Sequence, residues 1–339
     1  RVSGPASKPP EPGRPARNVV AAPAADARSI DRRVCGGMKR PLVNTEIEDN
    51  GEPGGYDTVQ TDLVTPKQES GMTRFTLLCW QTILVLLFFS NITDAAELTR
   101  REWTVDGVVR EALISVPEKA KSEPTPVVFG FHGHGGSMKN AARTFRFHEL
   151  WPEAIVVYMQ GLTTPGQITD PEGRLPGWQK GIGEQQDRDL RFFDAVLASL
   201  EKDYKVDPNR IYASGHSNGG GFTYLLWAER GEIFAAVAPS GSAALKIRRQ
   251  LKPKPMFHVA GENDPLVKYA WQKMMIDFVK ELNQCGAGKP WEGKATLFES
   301  KIGTPVVTYI TDQGHKFPSE APPLIVKFFK EHVKPAETK

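Results

Sequence analysis

A serine flanked by glycines, Ser217, lies between a segment with the pattern of a β-strand and a segment with the pattern of an α-helix. The strand pattern covers 209–213, the turn reads Gly215-His-Ser-Asn-Gly219, and the helix pattern follows. Glycines on both sides indicate a sharp, strained turn, because a Cβ at either position would collide with the neighbouring strand or helix. Such a turn lifts the Ser217 hydroxyl clear of the sheet. It also aims the backbone N–H of Asn218 at the position where an oxyanion would form. The sequence therefore predicts a nucleophile at Ser217 and an oxyanion donor at Asn218.

Strand and helix patterns alternate along the chain on both sides of this turn. Continuous apolar runs occur at 126–131 and 154–158, and such runs are typical of strands covered on both faces. A strand is also predicted at 255–260. Apolar residues recur at helical spacing between Asp187 and Tyr204. Further strands are predicted at 235–238 and 306–310, and further helices at 218–229, 269–282 and 322–332. We therefore expect an α/β fold, with a mostly parallel central sheet, helices on both faces and a site at the carboxyl ends of the strands.

Two loops that follow Ser217 carry the partners that a nucleophilic serine needs, a base and an acid that orients the base. His315 lies in a glycine-containing loop just past a predicted strand, where an imidazole can reach over the edge of the sheet. Asp264 follows the preceding predicted strand and is the first candidate for the acid, with Glu262 the second and Asp312 a loop carboxylate. The order Ser, Asp, His is the order in α/β-hydrolases. The sequence thus predicts an α/β-hydrolase fold with Ser217, Asp264 and His315 as catalytic residues.

A second glycine-rich loop, His132-Gly-His-Gly-Gly136, follows the first continuous apolar run. Its glycines let backbone N–H groups approach a substrate, so we predict that the His134 N–H completes the oxyanion hole with that of Asn218. The histidine side chains of this loop also have the chemistry of metal ligands. Because the glycines explain the loop better, we expect no metal and no cofactor.

Residues 162–183 contain many glycines and prolines and predict a long loop. Trp178 lies inside it, and two interpretations stay open: the side chain forms part of a substrate-binding wall for the acyl group, or it packs beneath the loop. Asp187 and Asp189 stand at the start of the helix that follows, where carboxylates are favourable, and we expect them to cap it.

The N-terminal part of the chain differs from the rest. Residues 1–71 are rich in Pro, Gly, Ala and charged residues and predict either a disordered segment or a mispredicted extension, with translation starting at Met72. Residues 72–96 combine a basic residue, a short apolar run and small residues, the pattern of a secretory signal peptide cleaved after Ala95 or Ala96. The alternative is an uncleaved signal anchor, which the shortness of the apolar run disfavours. We expect a secreted or periplasmic catalytic domain at 97–339, without stable membrane insertion once the signal is removed.

The overall charge and the cysteines restrict the function further. The formal net charge is only +3, with basic residues spread among acidic ones, so we expect no nucleic-acid partner. Of the three cysteines only Cys285 lies in the predicted mature domain, so this domain has to be stable without an internal disulfide.

The motifs resemble the secreted polyhydroxybutyrate depolymerase and feruloyl esterase family of α/β-hydrolases. The matching segments are Phe131-His-Gly-His-Gly-Gly136, Val156-Val-Tyr-Met-Gln-Gly161, Asp187-x-Asp189-x-x-Phe192-Phe193, 206–220, Phe234-Ala-Ala-Val-Ala-Pro239, Gly261-Glu-Asn-Asp-Pro265 and Gly314-His-Lys-Phe-Pro318. The resemblance implies Ser217 as nucleophile, Asp264 as acid, His315 as base and the loop at His134 as oxyanion donor. The family often has cysteine where His134 stands, and further paired cysteines, which this chain lacks.

Residues and resemblance together predict an exported serine esterase that hydrolyses carboxylic esters of hydroxyalkanoate, feruloyl or acetyl type through an acyl-enzyme. We expect a small-molecule or oligomeric ester as substrate. Two alternatives stay open, a serine peptidase of the same fold and a catalytically inactive hydrolase fold that binds a polymer.

Overall fold

The computed structural model describes residues 97–166 and 168–335. The predicted extension at 1–71 and the predicted signal peptide at 72–96 lie outside the described residues. The strands, in chain order, are β1 (Thr99–Val105), β2 (Val108–Ser115), β3 (Thr125–Phe131), β4 (Ile155–Met159), β5 (Leu162–Thr163), β6 (Pro176–Gly177), β7 (Val206–His216), β8 (Ala236–Ser240), β9 (Met256–Gly261), β10 (Cys285–Pro290), β11 (Thr296–Ser300) and β12 (Val306–Thr311).

Within the described part of the chain, ten of these strands form one sheet in the order β1-β2-β4-β3-β7-β8-β9-β12-β11-β10. The central strands from β4 to β12 pair in parallel. Both edges are antiparallel, because β2 pairs with β4 on one side and β11 with β12 on the other. The small β5-β6 pair lies in the long loop. The prediction of a mostly parallel central sheet is confirmed.

Helices cover both faces of this sheet. They are α1 (Met138–Phe145), α2 (Phe147–Leu150), α3 (Arg188–Asp203), α4 (Asn218–Arg230), α5 (Tyr269–Leu282) and α6 (Ala321–Lys330). Alternate residues of β3 show why its apolar run is continuous: Val127 and Phe129 belong to the core under α3 and α4, whereas Val128 belongs to the core under α1 and α6. Both faces of the strand are therefore buried, as the apolar runs predict. No helix within the described ranges is long and apolar enough to cross a bilayer.

Among the elements that were not anticipated from the sequence are α1, α2, β10 and β11, together with the β5-β6 pair in the long loop. The helices α1 and α2 follow the His132–Gly136 loop, and the α1 sequence is interrupted by polar residues that leave only one apolar face. The strands β10 and β11 form the antiparallel edge, where most residues are partly or fully exposed and the apolar runs of buried strands are missing. The helix predicted at 269–282 has the bounds of α5.

A buried ion pair fastens the long loop before α3 to the sheet. Asp189 is fully buried and its carboxylate accepts hydrogen bonds from Arg110 Nη2 at 2.8 Å and from the backbone N–H of Gln179 at 2.9 Å. Asp187 accepts from Gln179 Nε2 and from Gly183 N, each at 2.8 Å. Asp187 is the N-cap residue of α3 and Asp189 lies in its first turn, as predicted, but neither makes a capping hydrogen bond, because their carboxylates bond Arg110 and the long loop instead.

Removal of the Asp189 charge tests how much the Arg110–Asp189 pair contributes to stability. Asp189→Asn keeps the size of the side chain but leaves the Arg110 guanidinium buried without a counter-charge, and we expect the free energy of unfolding to fall by about 3–5 kcal/mol. Asp194→Asn, on the same helix, breaks an exposed pair with Arg230 and is expected to cost less than about 1 kcal/mol. Urea unfolding of both variants measures the difference. Equal losses would contradict the role assigned to Asp189.

Candidate active site

The predicted serine turn is present between the end of β7 and the start of α4. Ser217 has φ 57° and ψ −119°, a strained backbone conformation for a residue with a side chain. A Cβ on Gly215 would overlap the carbonyl oxygen of Gly219, and a Cβ on Gly219 would overlap that of Phe131. The two glycines therefore allow α4 to pack against β3 and β7 closely enough for the turn to form.

Three predicted residues from three loops meet at the carboxyl rim of the sheet. His315 Nε2 lies 2.7 Å from Ser217 Oγ, and His315 Nδ1 lies 2.6 Å from Asp264 Oδ2. The carboxylate can only accept, so Nδ1–H donates to Asp264 and Nε2 is free to accept the Ser217 hydroxyl proton. The second candidate for the acid, Glu262, is exposed and does not take part in this contact.

The Asp264 carboxylate is held on both oxygens. Oδ1 accepts from the backbone N–H groups of Leu266 at 2.8 Å and Val267 at 2.9 Å. Oδ2 accepts from Gln272 Nε2 at 3.1 Å in addition to His315. The sequence analysis did not predict the contact of Gln272 with Asp264. A signal for it exists in the sequence, because Gln272 is the one polar residue on the buried face of α5, among apolar residues at helical spacing.

The two backbone N–H groups predicted as oxyanion donors belong to the residue after Ser217 and to the loop beside it. Among the described residues, the N–H groups of His134 and Asn218 have no hydrogen-bond partner, whereas the neighbouring Gly135 N–H donates to Pro176 O at 2.7 Å. Asn218 opens α4, so the positive end of the helix dipole also lies there. The loop passes next to the serine, since a Cβ on Gly133 would lie 3.4 Å from Ser217 Cβ.

The side chains of His132 and His134 connect the loop that carries them to neighbouring parts of the chain. Burial lowers the pKa of His132 to about 4, and its Nε2 accepts from Gly161 N at 3.0 Å while Nδ1–H donates to Gly133 O at 2.8 Å. His134 Nε2 lies 3.2 Å from Asp170 Oδ2, which joins its loop to the long loop. Within residues 97–166 and 168–335, no group of three or more metal-ligating side chains could hold a metal ion.

The side chain of Trp178 packs in the core and does not line the candidate site. Its side chain is 0% exposed and stacks on Phe222 at 5.1 Å between ring centroids, with its indole N–H donating to His132 O at 2.9 Å. The prediction of a substrate-binding role for the Trp178 side chain is wrong, because the ring has no surface that a substrate could reach. Its backbone does contribute, since Asn218 bonds to both Trp178 N and Trp178 O and so fixes the loop to α4.

Apolar side chains with exposed surface flank the site on two sides. Leu175, 45% exposed, lies against Gly135 of the oxyanion loop. Leu266, 37% exposed, follows the Asp264 turn. Both side chains therefore offer apolar surface next to loops that carry predicted site residues.

Comparison with known proteins finds esterases among the relatives of this chain. No family model matches the chain. A probable feruloyl esterase C of Aspergillus flavus is 27% identical over 253 residues, covering 69% of this chain and 89% of that protein. Feruloyl esterase C of Emericella nidulans is 29% identical over 214 residues, covering 61% of this chain and 76% of that protein.

A solved structure extends the comparison to the fold. The acetyl xylan esterase from Aspergillus awamori matches with a TM-score of 0.51 at 12% identity, covering 68% of this chain and 99% of that one. At this identity the likeness concerns the fold alone, and it agrees with the sheet described above. The sequence relatives are similar to this chain as feruloyl esterases, and they support a carboxylic ester hydrolase with the α/β-hydrolase fold described above.

Proposed function

We propose that this carboxylic ester hydrolase is an exported serine esterase that works through an acyl-enzyme. The observation that carries the proposal is one continuous series of contacts, from Ser217 Oγ to His315 at 2.7 Å and on to Asp264 at 2.6 Å. It ends beside two backbone N–H groups that have no partner among the described residues. A nucleophile, a base, an acid and an oxyanion site are the four parts that acyl transfer to serine needs.

The reaction follows from these positions. Ser217 Oγ attacks the carbonyl carbon of the ester while its proton passes to His315 Nε2, and the resulting oxyanion accepts hydrogen bonds from the N–H groups of Asn218 and His134. As the intermediate collapses, the C–O bond to the alcohol breaks and His315 returns the proton to the leaving oxygen. Water then repeats both steps on the acyl-enzyme, which releases the acid and restores the Ser217 hydroxyl. Asp264 holds the imidazole in the tautomer that accepts on Nε2 and stabilises the imidazolium.

The next question is which acyl group the ester substrate carries. The relatives named feruloyl esterase favour a hydroxycinnamate acyl group, and the exposed surfaces of Leu175 and Leu266 suit an apolar group. A panel of feruloyl, acetyl and hydroxybutyryl esters, measured as kcat/KM, ranks the three classes. Faster cleavage of peptide amides than of all three would favour the serine peptidase alternative.

Removal of the nucleophile tests the proposal directly. Ser217→Ala is expected to lower kcat for an aryl ester by about 10⁶-fold and to abolish labelling by a fluorophosphonate probe. Ser214→Ala is the control: it removes a buried hydroxyl of β7 that donates to Ala238 O of β8, and this variant is expected to stay active and labelled. Unchanged activity in the Ser217 variant would refute the serine mechanism, and an unreactive Ser217 in the wild type would favour the binding-protein alternative.

Substitution of two carboxylates tests which of them is the catalytic acid. Asp264→Asn is expected to lower kcat by about 10⁴-fold, because the amide can stabilise the wrong tautomer of His315. Glu262→Gln changes an exposed carboxylate in the same loop and is expected to leave kcat near that of the wild type. Steady-state kinetics on one aryl ester compares them. The reverse ranking would transfer the role of acid to Glu262.

Export is the second part of the proposal and rests on residues 72–96, whose composition is that of a signal peptide. Cleavage after Ala95 or Ala96 is expected to give a native N-terminus at Ala96 or Glu97. N-terminal sequencing and peptide mapping of the protein from its natural source measure this. A native protein that retains peptides from 1–71 would contradict both the cleavage and the interpretation of that segment as an extension.

A further inference from the structure

Behind the Asp264 carboxylate, three polar side chains from three different elements continue the contacts away from the serine. Gln272 of α5 donates from Nε2 to Asp264 Oδ2 at 3.1 Å. His258 of β9 comes next, and its Nδ1 lies 2.9 Å from the hydroxyl of Tyr224 on α4. Gln272, His258 and Tyr224 are all 0% exposed. Buried polar groups of this kind are costly unless each donor meets an acceptor, so the way they are paired is informative.

The carboxylate fixes the orientation of the Gln272 amide. An ionised carboxylate only accepts hydrogen bonds, so the NH₂ group of Gln272 faces Asp264, and the same nitrogen donates to Val267 O at 2.7 Å. The amide oxygen then points to the other side. There, Gln272 Oε1 and His258 Nε2 are two buried atoms without a hydrogen-bond partner in the described part of the chain.

The amide in turn fixes the tautomer of His258. Burial lowers the pKa of His258 to about 4, and a hydrogen bond with the Gln272 side chain opposes that decrease. The ring is therefore neutral, with one N–H and one acceptor nitrogen. With its N–H on Nε2, His258 offers a donor to the unpaired Gln272 Oε1, and Nδ1 accepts the hydroxyl proton of Tyr224 at 2.9 Å.

We propose that Gln272, His258 and Tyr224 are positioning residues that fix the Asp264 carboxylate, Gln272 by direct contact and the other two through Gln272. The inference rests on the proposed function for its catalytic consequence. Among the described residues, backbone N–H groups hold Oδ1, and Gln272 is the group besides His315 that contacts Oδ2. Free rotation of that oxygen would misalign the imidazole, and errors of this size in a catalytic group lower the rate of the chemical step.

Gln272→Met tests the direct contact, because methionine has nearly the same length but no donor. We expect kcat to fall roughly 10- to 100-fold with KM little changed, since a charge-assisted hydrogen bond is lost that matters in the transition state. The control is Asn283→Leu, which removes another fully buried amide at the end of α5 whose side chain bonds Lys254 O and Thr304 O instead of the triad. That variant is expected to lose stability while it keeps kcat.

Two NMR signals make the test independent of ester hydrolysis. In the Ser217→Ala background, the low-field proton resonance of His315 Nδ1–H is expected to shift or broaden on adding Gln272→Met and to stay unchanged on adding Asn283→Leu. The ionisable groups that face His315 are Asp264 and His216, whose ring centroid lies 4.9 Å away, and neither is changed by these variants. In the wild type, ¹⁵N spectra are expected to show His258 with its proton on Nε2, and in Tyr224→Phe to show the other tautomer as well.

The outcomes separate the two proposals. Wild-type kcat and an unchanged His315 resonance in folded Gln272→Met would overturn the positioning role, as would a wild-type His258 with its proton on Nδ1. If Gln272→Met does not fold, Tyr224→Phe, which removes a single oxygen, decides through the His258 tautomer. If the wild type shows no hydrolysis that depends on Ser217, the proposed function fails, whereas the NMR signals still decide whether Gln272 fixes Asp264.

Discussion

The close approach of α4 to β3 and β7 is the constraint on which the rest of the site depends. Gly215 and Gly219 are the residues that permit it, because a Cβ on either would overlap backbone carbonyl groups. The approach forces Ser217 into its strained conformation, and the same packing brings the Asn218 N–H to the carboxyl rim of the sheet. Strain of about 1–3 kcal/mol at such a residue persists only when surrounding packing determines it, and here two buried cores supply that packing.

Around this fixed turn, the loops are held by buried polar contacts in place of disulfides. The Arg110–Asp189 pair anchors the long loop to the sheet, and the side chain of Asn218 bonds both backbone groups of Trp178. His134 contacts Asp170 and so joins the His132–Gly136 loop to the long loop. The resulting rim combines rigid backbone donors with an open surface, which is the combination that ester hydrolysis by a serine requires.

The sequence was sufficient for the parts of the structure that depend on local pattern. Continuous apolar runs predicted the buried parallel strands, and the glycine turn with the order Ser, Asp, His predicted the three residues that the structure brings together. It was insufficient where no motif links a residue to a partner distant in the chain. Trp178 has the same sequence neighbours whether it lines a pocket or packs on Phe222, and only the tertiary structure decides. Asp189 finds its partner 79 positions away, and His258 carries no motif that points to Gln272.

The most direct test of the account is the identification of the covalent intermediate. Wild-type protein is mixed with a feruloyl or acetyl aryl ester, quenched in acid within the first turnover and analysed by intact mass and peptide mapping. The account predicts a mass increase equal to one acyl group, located on the peptide that contains Ser217. Hydrolysis of the ester without any acylated protein, or with the acyl group on another residue, would contradict it.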